Sequence, residues 1–219
     1  PYLGSGGLAD VIGSLPKTLA ANGKYDVRVV MPLYGDISDK YRSQMRFLMN
    51  FNVPLAWRNQ YCGVFSLKAD GVTFYFIDNE YYFNGYAPYG DMYADIEKFA
   101  FFSKAVLSAL PLIDFRPDII HCHDWQTGLV PIYLDNFRYG NEFYRGIKTV
   151  MTIHNLKFQG TWDPKRVRDI TGLPQYYFAP DKLEAYKDAN YLKGGIVYAD
   201  RVTTVSNSYA EEIKTPFYG

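Results

Sequence analysis

Gly4-Ser-Gly-Gly-Leu-Ala-Asp-Val-Ile-Gly-Ser-Leu-Pro-Lys17 sets glycines immediately before an apolar run of helical spacing. Glycine lets backbone N–H groups approach a ligand closely. A helix beginning there adds its unpaired donors and positive dipole end, so the stretch reads as a turn able to hold an anion. Leu8, Val11, Ile12, Leu15 and Leu19 recur at the intervals of a buried helix, and Pro16 is expected to bend that helix or begin a new turn. Gly4, Gly6 and Ala9 also satisfy G-x-G-x-x-G/A. That pattern counts only between a strand and a helix with an acidic residue about twenty positions on, and Asp26 lies before the next strand instead of at its end. A structural loop and a phosphate cradle for a sugar nucleotide remain open on these residues alone.

Outward from this stretch, short apolar runs alternate with longer helical patterns, which predicts an α/β fold: a Rossmann-like parallel sheet with helices on both faces. Val27 to Met31 reads as a buried strand, and Tyr61 to Lys68 and Val72 to Ile77 flank Ala69-Asp-Gly71, a β-hairpin signal. From Ile96, residues Phe99, Ala100, Val106, Leu107 and Leu110 trace a helical face expected to end before Pro111. Asp118 to Cys122, Thr149 to Ile153 and Val202 to Val205 read as strands. Thr127 to Phe137, Asp181 to Asp188, Leu192 to Tyr198 and Ser208 to Lys214 read as helices. With no repeats, low-complexity tracts or linkers, residues 1–219 are expected to form one domain.

Composition narrows the function. The 23 basic and 23 acidic residues cancel without long runs of either sign, so neither nucleic acid nor an anionic membrane is indicated as a partner. No apolar run approaches the roughly 18 residues needed to span a bilayer, and no signal peptide opens the chain. Cys62 and Cys122 are too few and too far apart for a disulfide framework or structural zinc site, which suggests a reducing, cytoplasmic setting. The 21 Tyr, 15 Phe and 3 Trp suit a core, and aromatic rings also stack on sugars. Those in Asn79-Glu-Tyr-Tyr-Phe-Asn-Gly-Tyr-Ala-Pro-Tyr-Gly90 fall among loop-forming residues.

Ligands of a parallel sheet sit beyond the carboxyl ends of its strands. Besides the glycine loop, two junctions put polar residues there: His121-Cys-His-Asp-Trp-Gln-Thr-Gly128 and Ile153-His-Asn-Leu-Lys-Phe-Gln-Gly160. Alternation sets His121 and His123 on one face, a metal-compatible spacing, but the only other histidine is His154 and no H-E-x-x-H or C-x-x-C accompanies them. No metal is expected, and a buried, hydrogen-bonded role suits His121 better. Asp124 is either the N-cap of the following helix or a hydrogen-bonding partner for substrate hydroxyls. Trp125 either stacks on a ligand or packs. His154 and Asn155 offer donors and acceptors suited to neutral hydroxyls, with His154 also a candidate acid or base and Asn155 alternatively a turn former. Neither G-x-S-x-G nor G-x-x-x-x-G-K-[ST] occurs, which argues against a triad hydrolase and a P-loop nucleotidase.

Together the junctions resemble the N-terminal domain of bacterial glycogen synthases and plant starch synthases. The resemblance rests on Gly6-Gly-Leu-Ala-Asp-Val-Ile-Gly-Ser-Leu-Pro-Lys17, Arg28-Val-Val-Met-Pro-Leu-Tyr34, Phe76-Ile-Asp-Asn-Glu-Tyr-Tyr-Phe83 and Lys98-Phe-Ala-Phe-Phe-Ser-Lys-Ala-Val-Leu107. It continues through His121-Cys-His-Asp-Trp-Gln-Thr-Gly128, Thr152-Ile-His-Asn-Leu156 with Phe158-Gln-Gly160, Lys193-Gly-Gly-Ile196 and Asp200-Arg-Val-Thr-Thr-Val-Ser206. The segments run in order over the whole chain. The resemblance implies the N-terminal, acceptor-side half of a GT-B glycosyltransferase, lacking the family's first strand and its second domain. That domain carries most of the nucleotide-binding residues. The implied activity is transfer of glucose from ADP-glucose, or UDP-glucose in some members, to the non-reducing end of an α-1,4-glucan, with retention and without a metal or other cofactor. It also implies that Ser5, Gly6 and Gly7 line the diphosphate and glucose, that Asp124 is the active-site aspartate, and that His154 and Asn155 contact the sugar. Tyr93 corresponds to the family's helical tyrosine near the cleft. Where the family usually has Lys-Thr-Gly-Gly-Leu, this chain has Gly4-Ser5-Gly-Gly-Leu8, so the lysine charge is absent.

Two other functions compete: a noncatalytic glucan-binding module using the tyrosines, and a nicotinamide-dependent oxidoreductase. A pure binding module needs no polar cluster beside a phosphate loop, and the oxidoreductase lacks its acidic ribose ligand. The 219-residue chain alone is expected to have no synthase activity.

Overall fold

The computed structural model describes residues 2–4, 6–85 and 89–217. Ser5, a predicted substrate-binding residue, lies outside the described residues. The chain forms two compact units, one of residues 1–53 and 60–90 and the other of residues 54–59 and 91–219.

In the first unit the order is α1 (Gly6–Ala21), β1 (Arg28–Pro32), α2 (Asp39–Arg42), β2 (Arg46–Leu55), β3 (Arg58–Ala69), β4 (Val72–Asp78) and α3 (Glu80–Phe83), with residues 54–59 grouped in the second. The sheet runs β1-β4-β3-β2, with β1 parallel to β4 and β3 antiparallel to it. The β3–β4 turn is the expected Asp70-Gly71, both at positive φ (51° and 76°), the handedness that matches strand twist. Tyr2, Leu33, Ile37, Val72, Phe74 and Phe76 form a core, Tyr2 meeting Phe74 and Phe76 edge-on. Helix α1 runs unbroken through Pro16, and its apolar stripe is less covered than its spacing suggested. Pro16 is its only buried residue, because the stripe lies half-covered and Leu19 is exposed.

The second unit continues with α4 (Met92–Leu112), β5 (Ile119–His123), α5 (Leu129–Arg138), β6 (Lys148–Ile153), β7 (Thr161–Trp162) and α6 (Pro164–Thr171). It ends with β8 (Glu184–Ala185), β9 (Asp188–Asn190), α7 (Tyr191–Tyr198), β10 (Arg201–Thr204) and α8 (Asn207–Glu212). Strands β10-β6-β5 make a parallel sheet, and β7-β9-β8 a small antiparallel one. The expected parallel strands are thus divided between two sheets. Helices α4, α5 and α7 pack together, burying Phe99, Phe101, Leu107, Leu129, Ile132, Tyr133 and Tyr191. Each such side chain contributes roughly 1.5–3 kcal/mol on leaving water.

Three expectations are corrected here. Residues 181–188 are not a helix. Tyr186 and Lys187 adopt positive φ (53° and 73°) to join β8 to β9, which no α-helix can contain, and Tyr186 is 93% exposed. Helix α4 begins before Ile96, where the Asp91 carboxylate accepts from the Tyr93 N–H (3.1 Å). It also continues past Pro111 to Leu112. A proline there deprives the Leu107 carbonyl of its helical donor, and the Tyr144 hydroxyl supplies the bond instead at 2.9 Å.

Cys62 and Cys122 are free and buried, and burial pushes both thiols up to about 12. Among the described residues no helix is long and apolar enough to cross a membrane. Replacing Tyr144→Phe strands the Leu107 carbonyl in the interior. Urea unfolding is expected to show a loss of about 1–3 kcal/mol, whereas Gly140→Ala, whose added methyl meets nothing within 4 Å, should change stability by less than about 0.5 kcal/mol.

Candidate active site

The polar residues of the second unit gather where β5 and β6 end. After His123 the chain turns sharply, and Asp124 takes φ 57°, ψ −177°, a region almost reserved for glycine. Holding an aspartate there costs on the order of 1–3 kcal/mol. The turn is fixed from several sides. Thr127 Oγ1 accepts from the His123 N–H (2.7 Å) and donates to the His123 carbonyl (2.9 Å), while the Asp124 N–H donates to the Thr152 carbonyl (3.0 Å). Behind it a Cβ on Gly128 would stand 2.2 Å from the Tyr191 carbonyl oxygen, and one on Gly160 would stand 2.3 Å from the Trp125 ring. Backbone and indole thus lie where only glycine leaves room. Trp125 packs: it is buried and meets Phe99 edge-on at 5.2 Å.

What the strain achieves is the aim of the carboxylate. Asp124 makes no side-chain cap to the turn that follows it. Its Oδ1 crosses to the end of β6, accepting from the His154 N–H at 2.7 Å and, at 3.4 Å, from the Asn155 N–H. Burial raises the Asp124 pKa, opposed by those N–H groups and by His154. The structure therefore brings Asp124, His154 and Asn155 together. Asn155 also serves its turn, Oδ1 accepting from the Lys157 N–H (3.0 Å). The loop beyond is tied down by the Tyr209 hydroxyl, which accepts from the Leu156 N–H (3.0 Å).

All three histidines lie in this region, and sequence reasoning missed what joins them. His123 Nδ1 and His154 Nε2 are 3.0 Å apart, one donating and the other accepting. His121 lies against His123 with ring centroids 4.1 Å apart, and its Nε2 meets Thr152 Oγ1 at 2.6 Å. Burial, with His121 and His154 adding to it, pushes His123 down to about 3; burial likewise lowers His154, against the pull of Asp124. Two of the nitrogens a metal would need are spent on each other. Among the described residues, no group of three or more His, Cys, Asp or Glu is arranged to hold a metal ion.

Of the other predicted residues, Gly6 and Gly7 belong to the first unit and Tyr93 to the second. Gly6 and Gly7 open α1 in the first unit, exposed, with Gly6 at φ +65° and no acidic side chain in the helix's first turn. Tyr93 stands in the first turn of α4, its ring edge-on to Trp162 (5.8 Å) and covered by the Arg166 guanidinium (4.6 Å).

A buried carboxylate clamped between the ends of two parallel strands lies where α/β sheets bind their ligands. Comparison with known proteins narrows this. The sequence model for the starch synthase catalytic domain matches residues 1–219, and the chain belongs to this family. It is 67% identical over 219 residues to a glycogen synthase of Lachnospira eligens and 60% identical to one of Lachnoclostridium phytofermentans. In both cases the match takes in all of this chain and 46% of the relative. Among solved structures it is similar to the catalytic domain of starch synthase IV from Arabidopsis thaliana, bound to ADP and acarbose. That match has a TM-score of 0.85 at 28% identity, over 100% of this chain and 45% of that one. The chain thus spans about half the length of the curated relatives it matches. It has the fold of the N-terminal half of a GT-B enzyme.

The glycine-only backbone of Asp124 gives a test. Asp124→Gly removes the carboxylate and the strain together, whereas Asp124→Ala removes the carboxylate alone. Thermal or urea unfolding is expected to rank the Gly variant above the Ala variant by about 1–2 kcal/mol.

Proposed function

We propose that the protein carrying this chain is a glycogen or starch synthase, a retaining glucosyltransferase moving glucose from ADP-glucose, or UDP-glucose, to the non-reducing end of an α-1,4-glucan. We read residues 1–219 as its acceptor-side domain, working with a second domain and placed in the cytoplasm. The observation that carries this reading is the Asp124 carboxylate, strained at its backbone and bonded to the His154 and Asn155 N–H groups. A site with this much structure committed to one carboxylate does more than bind.

Transfer with retention passes through a sugar carrying positive charge at its anomeric carbon while negative charge develops on the departing phosphate. Asp124 and His154 are the residues we assign to the sugar side. Asp124 Oδ2 has no hydrogen bond among the described residues, so one carboxylate oxygen is anchored and the other is left for a sugar hydroxyl or the developing charge. Asn155 keeps its Nδ2 donors, since only its Oδ1 is engaged by the turn. On the phosphate side we assign Ser5, Gly6 and Gly7: the α1 N-terminus, free of acidic side chains, suits a diphosphate, and the helix is 16 residues long. Tyr93, 45% exposed, is assigned to the glucan. No step in this scheme calls on a metal or cofactor; the nucleotide sugar is a substrate.

In the full-length protein, Asp124→Ala is expected to lower glucose incorporation into glycogen at least 100-fold while the protein still folds and melts cooperatively. The isolated chain should incorporate none, because one side of a site cannot orient both substrates. Wild-type turnover in the variant would overturn the assignment. Gly4 has no positive φ and its added Cβ would meet nothing within 4 Å, so a lysine fits there. Gly4→Lys is expected to tighten donor binding by about 10- to 150-fold, a charge-assisted contact contributing roughly 1.5–3 kcal/mol. Donor titration by calorimetry checks this.

A further inference from the structure

The geometry points to His123 as a positioning residue for His154: its Nδ1 engages His154 Nε2, holding that imidazole in one orientation and one neutral tautomer with Nδ1 left to meet the ligand. The inference rests on the reading that His154 faces the sugar, and adds which nitrogen faces it and what holds it there.

His123 is itself placed with little freedom. Its backbone N–H and carbonyl are both bonded to Thr127 Oγ1. Its ring lies between two others, against His121 at a 4.1 Å centroid distance and beside His154 at 5.2 Å. His121 is anchored in turn, because Thr152 Oγ1 meets both its Nε2 (2.6 Å) and Thr203 Oγ1 (2.7 Å). The strand register makes this possible: His123 is paired with Thr152 on β6, and Thr152 with Thr203 on β10, so the side chains fall on one face of the sheet. The last member of the chain, His154, is also fixed at its backbone by Asp124.

A contact between two imidazole nitrogens tolerates one proton. If both rings carried one there, two N–H groups would face each other. With both rings neutral, the contact couples their tautomers: His123 Nδ1–H donates to an unprotonated His154 Nε2, or His154 Nε2–H donates to an unprotonated His123 Nδ1. With Nε2 committed, His154 has a single nitrogen for the ligand, either a donor or an acceptor according to its tautomer. That suits a directed hydrogen bond to a hydroxyl, and it makes the tautomer chosen by His123 the determinant of which hydroxyl geometry is accepted.

The test uses the full-length protein labelled with 15N-histidine and long-range proton–nitrogen correlation spectra, with His121, His123 and His154 assigned by single substitution. At neutral pH, His154 is expected in one neutral tautomer, with distinct pyrrole-like and pyridine-like nitrogen shifts. His123→Phe keeps a ring against His121 but offers no nitrogen, and should average the two His154 shifts. His123→Asn puts an amide near the position of Nδ1 and should restore one tautomer. Glucose transfer should fall about tenfold in kcat in the Phe variant, with donor KM changed less than threefold, and recover in the Asn variant. An averaged His154 in the wild-type protein overturns the proposal without any variant having to fold, as does an unchanged tautomer in His123→Phe. A tautomer change with unaltered transfer would leave the contact standing and remove His154 from the sugar site.

Discussion

The hydrogen bond from the His154 N–H to the Asp124 carboxylate, 2.7 Å long, is the contact on which the second unit's site depends. It joins the ends of two neighbouring parallel strands, which otherwise diverge into separate loops. To make it, Asp124 adopts a backbone that L-residues avoid, and the neighbourhood holds it there: Thr127 on one side, the Thr152 carbonyl on the other, Trp125 buried behind. The carboxylate is also kept partly out of water. Burial weakens its acidity while the N–H groups restore some of it, so the charge is stabilised by protein dipoles in place of solvent.

Rigidity comes from glycine as much as from bonding. Gly128 and Gly195 let two backbones touch, since a Cβ on Gly195 would stand 3.0 Å from the Gly128 Cα. Gly160 lets Trp125 lie flat against the chain. The turn after β5 is thereby seated directly on α7, and α7 is in turn joined to the loop after β6 through Tyr191 and Leu192 N–H bonds to the Gly160 and Gln159 carbonyls (both 3.0 Å). The loops that present Asp124, His154 and Asn155 share one support.

How much of this could be read from the sequence follows from which interactions are local. The strand at 119–123 and its neighbours at 148–153 and 201–204 were legible because β-branched runs bounded by breakers suffice to define buried strands. The Asp70-Gly71 turn was legible because few dipeptides adopt that handedness. Strand β2 was overlooked, although Phe47, Met49, Phe51, Val53 and Leu55 alternate cleanly; Asn50, Asn52 and Pro54 on its other face disguise it. The extent of α4 was hidden because what carries it past Pro111 is a hydroxyl 33 positions from that proline, at Tyr144. At the site, residue types pointed to Asp124, His154 and Asn155, but not to the His123–His154 contact. That depends on strand register, which no single segment encodes.

The two cysteines give the molecule a property unrelated to its chemistry. Cys62 belongs to the first unit and Cys122 to the second, and each is sealed from solvent with its thiol held up to about 12. Neither can be alkylated until the structure around it opens. Each unit therefore contains its own internal clock of opening, and the labelling rates of the two positions separate local loosening of one unit from loss of the whole fold without any reporter being added.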